Sequence, residues 1–147
     1  MTMPYPVLQI ADKLIALTAK DQGDSITNLK LQKLLYYVQG FNLAAFQSPL
    51  FEEDIEAWMY GPVVPSVYNH YAHFGADPLE STGDEVLMLK PEEEELFQEV
   101  YKAYSVYSAI GLMNMTHKEA PWRSVPTAPG SVIPKETLRD FFKNKLA

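Results

Sequence analysis

This sequence of 147 residues contains three histidines, a residue type that commonly binds metal ions. Two of them also have a spacing suited to metal ligands. His70 and His73 are separated by the interval that puts two imidazoles on one face of a helix, and His117 could supply a third ligand. No HExxH-type pattern ties a general base to them, and two exposed histidines account for the same spacing. We therefore predict no metal site and keep a histidine-dependent metal enzyme only as an alternative of a different class.

Other catalytic patterns are missing from the sequence. No serine stands in a nucleophile-elbow glycine pattern, and neither GxxxxGK[ST] nor GxGxxG occurs. The absence of cysteine excludes disulfides, thiolate zinc sites, iron–sulfur clusters and cysteine nucleophiles. We expect a protein that is not an enzyme and needs no cofactor.

A set of polar and aromatic residues is better suited to protein binding than to catalysis, because tyrosine and tryptophan offer large rigid contact areas with a polar end. The set is Lys30, Gln32, Lys33, Tyr36, Tyr37, Trp58, Tyr60, Gly61, Pro62, His117 and Trp122. These residues suit fold maintenance as well, with Lys33 or His117 bonded to buried carbonyls, and both interpretations stay open. Of the tyrosine pair, Tyr37 is predicted to be the more exposed.

The charge of the chain is negative and unevenly distributed. Twelve basic and 19 acidic side chains give a net charge of −7, and residues 52–99 hold 13 acids with Lys90 as their only base. Such a segment is either an ordinary solvated surface or a means of steering a basic partner. Only two arginines occur, which argues against a nucleic-acid partner. With neither a signal peptide nor an apolar run long enough to cross a bilayer, we expect a cytoplasmic protein that does not bind membranes.

Apolar spacing near 3.6 residues dominates the first third of the chain. It predicts a helix that starts after Pro6 and ends near Lys20, and a second helix from Thr27, the expected N-cap, to Phe46. The second helix should present one apolar face, with a neighbouring stripe of Lys30, Lys33 and Tyr37. A turn over residues 21–25 connects the two.

The middle of the chain predicts short elements. Residues 55–60 alternate as a strand, Gly61 and Pro62 form a corner, Pro65 opens a third helix that Gly75 ends, and a polar loop follows over residues 77–84. A second strand is predicted over Val86–Leu89.

The last third of the chain predicts three more helices. One begins at Pro91 with a solvated glutamate run and buries Leu96, Val100, Ala103 and Tyr104; the others span residues 108–115 and 134–146. The predicted fold is mainly α: a single compact domain over residues 1–147, with about six helices and a small two-stranded β element.

Three ordered motifs resemble the Panacea domain, the SocA/GepA-like family. They are LKLQKLLYY at residues 29–37, IEAWMYGPVVP at residues 55–65 and THKEAPW at residues 116–122. The resemblance covers most of the chain. The family's motif positions fall on Lys30, Gln32, Lys33, Tyr36, Trp58, Tyr60, Gly61, Pro62, His117 and Trp122.

The resemblance implies a small antitoxin, of a kind often associated with prophages, that neutralises a toxic partner by direct binding. The cognate toxin is expected to be encoded by the adjacent gene. The alternative within the family, as in the SocA case, is an adaptor that delivers the toxin to a protease, so a protease or chaperone is a further candidate partner. Longer relatives carry an attached DNA-binding domain, which we do not expect here because the first helix begins soon after Met1.

Overall fold

The computed structural model describes residues 3–22, 26–83 and 86–146. Helices dominate this part of the chain, as the sequence predicts, together with a small antiparallel sheet. The helices are α1 Val7–Gln22, α2 Asn28–Phe46, α3 Pro65–His70, α4 Pro91–Tyr104, α5 Ala109–His117, α6 Ala120–Arg123 and α7 Lys135–Lys143, with a single 3₁₀ turn at Ala72–Phe74. The strands are β1 Ile55–Trp58, β2 Gly61–Val63 and β3 Val132–Ile133.

Helix α2 is the centre of the fold. Thr27 caps it as predicted, with its hydroxyl accepting the Lys30 N–H at 3.3 Å, and Gln47 ends it in a left-handed conformation at φ 55°. Residues 31–44 are buried on every side because α1, α4, α5 and α7 all pack against this helix. The predicted single apolar face is therefore wrong: the neighbouring helices also cover the stripe that contains Lys33 and Tyr37.

A close approach of α7 to α2 depends on Gly40. A Cβ atom at this position would overlap the ring of Phe142, which is buried against Tyr36, Tyr37 and Phe41. The missing side chain thus lets the amphipathic α7 lie directly on the central helix.

The sheet differs from the prediction in its partners. Strand β1 lies in the middle, with Trp58 opposite Gly61 of β2 and Ile55 opposite Ile133 of β3. Val86–Leu89 is not a strand. The backbone of this segment bonds to side chains instead, because the Leu87 carbonyl accepts from Lys13 Nζ at 2.6 Å and the Leu89 N–H donates to Glu94 at 3.1 Å.

Helix α4 buries a wider face than predicted. Val100 is buried and Leu96 and Tyr104 pack half-buried against the core as predicted, but Phe97 and Tyr101 are buried too, and Ala103 is exposed. The glutamate run is not wholly solvated, because the Glu93 carboxylate is buried and accepts bonds from Tyr5 at 2.9 Å and Asn42 at 3.3 Å.

Other boundaries shift by a few residues. Helix α1 runs to Gln22, past the predicted end, and the third predicted helix is divided into α3 and the 3₁₀ turn. The sequence missed α6, and α7 ends at Lys143 rather than residue 146. The predicted turn at 21–25 and loop at 77–84 lie partly outside the described residues. Over the described ranges, no helix has both the length and the apolar character needed to span a bilayer.

Candidate functional site

Polar side chains of α2 hold the corner between β2 and α3. Gln32 accepts the Val64 N–H at 2.9 Å and donates to Asn28 at 3.0 Å, while Lys33 Nζ donates to the Pro62 carbonyl at 3.1 Å. All of these groups are buried. The predicted bond from Lys33 to a buried carbonyl is confirmed, and the first two motifs of the sequence are thereby joined.

Gly61 begins β2 directly after the turn at residues 59–60, so the strand predicted over 55–60 ends two residues earlier and the corner predicted at 61–62 lies two residues earlier. The φ of Gly61 is +108°, which side-chain-bearing residues rarely adopt, and a Cβ there would lie 2.7 Å from Lys33 Cε and 2.9 Å from Thr116 Oγ1. Burial lowers the pKa of Lys33 to about 7. The buried lysine and the glycine above it form one tightly packed unit.

A buried carboxylate joins the first motif to the third. Glu119 accepts from the Tyr36 hydroxyl at 2.9 Å and from the Tyr37 hydroxyl at 3.1 Å. Burial raises the pKa of both tyrosines and of Glu119, although the two hydrogen bonds act against the change at the carboxyl group. The Tyr37 ring also stacks on Tyr104 at a centroid distance of 3.9 Å. The predicted exposure of Tyr37 is wrong, because the hydroxyl reaches inward to Glu119 and the side chain is 0% exposed.

The two tryptophans connect the sheet to α6. Trp122 Nε1 donates to the Trp58 carbonyl at 2.8 Å, and the His117 ring stacks on Trp122 at 4.2 Å. Trp58 Nε1 donates to Glu56 at 2.9 Å, and the same carboxylate oxygen accepts the Gly130 N–H at 2.7 Å. His117 Nε2 is buried without a partner among the described residues, so the proposed bond from His117 to a carbonyl is not present at that atom.

An apolar cleft of about 530 Å³ opens beside this network. It lies between the start of α2, the β1–β2 corner, α3 and α5. Of the predicted site residues it is lined by Gln32, Lys33, Trp58 and Tyr60, and the others lie outside it. Lys30 is outside because its ammonium donates to the Ser105 carbonyl at 2.7 Å, and burial lowers its pKa.

Large apolar side chains stand at the rim of the cleft. Tyr60 is 61% exposed, Ile110 56% and Tyr68 37%. Neither Ile110 nor Tyr68 is among the residues that the sequence predicted for the site. Ile110 lies in the first turn of α5, just after the N-cap Ser108.

The three histidines do not form a metal site in the part of the chain that the structure describes. His70 and His73 are exposed, and no group of three or more histidine, aspartate or glutamate side chains there is arranged to hold a metal ion.

Comparison with known proteins finds similarity to an antitoxin family. The family model described as "Antitoxin SocA-like, Panacea domain" matches residues 31–123, which contain all three motifs apart from Leu29 and Lys30. Antitoxin SocA of Caulobacter vibrioides (strain NA1000 / CB15N) is 28% identical over 118 aligned positions, and the match covers 72% of this chain. The aligned region spans 63% of that relative's length. No solved structure gives a significant match.

Proposed function

Because the chain belongs to the SocA-like Panacea antitoxin family, we propose that it binds a cognate toxin protein directly and neutralises it in the cytoplasm. The observation that carries the proposal is the apolar cleft with exposed tyrosine and isoleucine at its rim. Exposed aromatic anchors around a concave apolar surface are typical of protein-binding hot spots.

The predicted site residues divide into two roles under this proposal. Trp58 and Tyr60 contact the toxin, whereas the buried members of the set hold the contact surface in place. The framework is rigid because each of its main polar groups has a partner inside the protein: Gln32 at the corner, and Tyr36 and Tyr37 at Glu119. A preorganised surface loses little conformational entropy on binding.

Co-expression with the product of the adjacent gene tests the proposal. The toxin should copurify with the protein, and Tyr60→Ala should weaken the complex by about 2 kcal/mol, or roughly 30-fold in Kd. Met88→Ala is the matched control because Met88 is 71% exposed and lies outside the cleft. Equal affinity of the Tyr60→Ala, Ile110→Ala and wild-type proteins would move the toxin contact elsewhere.

The acidic segment gives the proposed complex a second, separable contribution. Reversing the charges of Glu52 and Glu53 should lower the association rate with a basic toxin and reduce the salt dependence of that rate. Glu56 is unsuitable for this experiment, although its sequence position suggests it, because its carboxylate accepts hydrogen bonds from Trp58 and Gly130.

Degradation of the toxin that occurs only when a protease is present would favour the adaptor function instead.

A further inference from the structure

The indole ring of Trp58 forms part of the cleft wall, and packing alone does not fix its orientation. The Tyr68 ring meets it edge-on, with the ring centroids 5.2 Å apart and the planes at 70°. The Trp58 side chain is only half-buried. Rotation of an aromatic ring about its Cβ–Cγ bond has broad energy minima, so a half-buried indole needs a polar contact to hold one angle.

Glu56, two residues earlier on β1, supplies this polar contact. Its Oε1 atom accepts the Trp58 Nε1–H at 2.9 Å and the Gly130 N–H at 2.7 Å. The two side chains are neighbours because alternate residues of a strand point to the same face of the sheet. Glu56 does not itself line the cleft. Its carboxylate therefore acts on the cleft through the Trp58 ring.

Backbone contacts hold the Gly130 donor in place. The Ala57 N–H donates to the Ser131 carbonyl at 2.9 Å, and the Ala57 carbonyl accepts the Ala128 N–H at 2.9 Å. Between these two bonds the chain turns at Gly130 with a φ of +87°, a conformation that favours glycine. The loop backbone thus fixes the carboxylate oxygen of Glu56, and that oxygen fixes the indole.

We propose that Glu56 is a positioning residue of the toxin-binding surface: its Oε1 atom orients the Trp58 ring at the cleft and connects this orientation to the loop over residues 128–131. The inference rests on the proposed function and adds how the contact surface is preorganised. A ring that is already held in its binding orientation loses less conformational entropy when the toxin binds. The competing explanation is that the contacts of Glu56 only stabilise the sheet against unfolding.

Glu56→Ala and Glu56→Gln separate the hydrogen bonds from the charge. Both variants remove the negative charge, but only the amide oxygen of glutamine can still accept from Trp58 and Gly130. Glu56→Thr is a second variant without the acceptor, because threonine suits a strand and its side chain is too short to reach either donor.

The first readout needs no toxin. The chain has two tryptophans, so their indole N–H signals can be assigned in the NMR spectrum of the full chain. In Glu56→Ala the Trp58 signal should move upfield and exchange faster with water, and the nuclear Overhauser effects between Trp58 and Tyr68 should weaken. Glu56→Gln should retain all three properties. Trp122 Nε1 donates to the Trp58 carbonyl at 2.8 Å, so its unchanged signal is the internal reference.

The second readout is the affinity for the copurified toxin. Glu56→Ala should bind about fivefold more weakly, since one more side chain must be ordered on binding, and Glu56→Gln should recover most of that loss. In a Trp58→Phe background, where the indole donor is missing, Glu56→Ala should change the affinity by less than about twofold. A purely stabilising role predicts instead a lower free energy of unfolding with an unchanged affinity of the folded protein.

An unchanged Trp58 signal in Glu56→Ala would overturn the inference, as would an equal effect of Glu56→Ala on toxin affinity in the wild-type and Trp58→Phe backgrounds. Both results leave the proposed function intact if the toxin still copurifies with the protein. If no toxin copurifies, the proposed function fails, and a shifted Trp58 signal in Glu56→Ala still supports the positioning role of Glu56.

Discussion

Replacing Lys33 by methionine should make the protein more stable at mildly acidic pH. The folded state holds this ammonium without a counter-ion, and burial lowers its pKa from 10.5 to about 7. A difference of about 3.5 in pKa corresponds to about 5 kcal/mol of unfavourable free energy when the group is charged in both states. Methionine has a similar length and no charge, so it removes this cost.

The substitution also removes a favourable contact. The bond to the Pro62 carbonyl at 3.1 Å is lost, which leaves a buried acceptor unpaired at a cost of about 1–3 kcal/mol. The expected net gain at pH 6 is therefore about 2–4 kcal/mol. The free energy of unfolding can be measured by urea denaturation of both proteins in parallel.

The pH dependence of the difference is the sharper measurement. Between a pKa of about 7 in the folded state and 10.5 in the unfolded chain, the unfolded chain binds more protons, so the wild type gains stability as the pH rises. The advantage of Lys33→Met should shrink by about 3 kcal/mol from pH 6 to pH 9. Lys102→Met on the exposed side of α4 is the control and should show no such change. A difference between Lys33→Met and wild type that is independent of pH would refute a buried ammonium at this position.

Substitutions at three further positions test the network by urea denaturation and circular dichroism. Tyr37→Ala should cost about 3–5 kcal/mol of stability because it removes a fully buried ring; a folded variant of wild-type stability would contradict that burial. Gly61→Ala should cost more than about 2 kcal/mol because its φ is +108° and the new Cβ meets Lys33, and a neutral effect would show that the corner adapts freely. Glu119→Gln should cost less than about 1 kcal/mol, since an amide can accept from Tyr36 and donate to Tyr37. Glu119→Leu should cost about 2–3 kcal/mol because it leaves both hydroxyls unpaired. Equal costs of the two variants would show that these bonds contribute little.

Local signals in the sequence located most of the helices. The hydroxyl of Thr27 begins α2 through a bond only three residues away, and Pro65 begins α3 because its fixed φ suits a first helical turn. Such features depend on neighbouring residues, so they can be identified before any long-range contact is known. The predicted corner at Gly61 and Pro62 was misplaced, because the turn lies at residues 59–60 and both residues belong to β2.

Long-range packing determined which residues of these elements are buried and which strands pair. Periodicity gave α2 one buried face, but four helices surround it, and this placed Lys33 and Tyr37 in the interior. Strand β1 acquired its second partner from residues 132–133, far along the chain, where no alternation is long enough to signal a strand.

The candidate site shows the same division. The sequence by itself supplied the three motifs and, through their resemblance, the family, because residue types at fixed spacing can be recognised without knowledge of contacts. Only the tertiary structure joined the Tyr36 hydroxyl to Glu119, a pair 83 residues apart, and brought Tyr60 and Ile110 to the rim of one cleft. Burial and pairing are properties of the packed chain, so they decided which motif residues support the fold and which remain open to a partner.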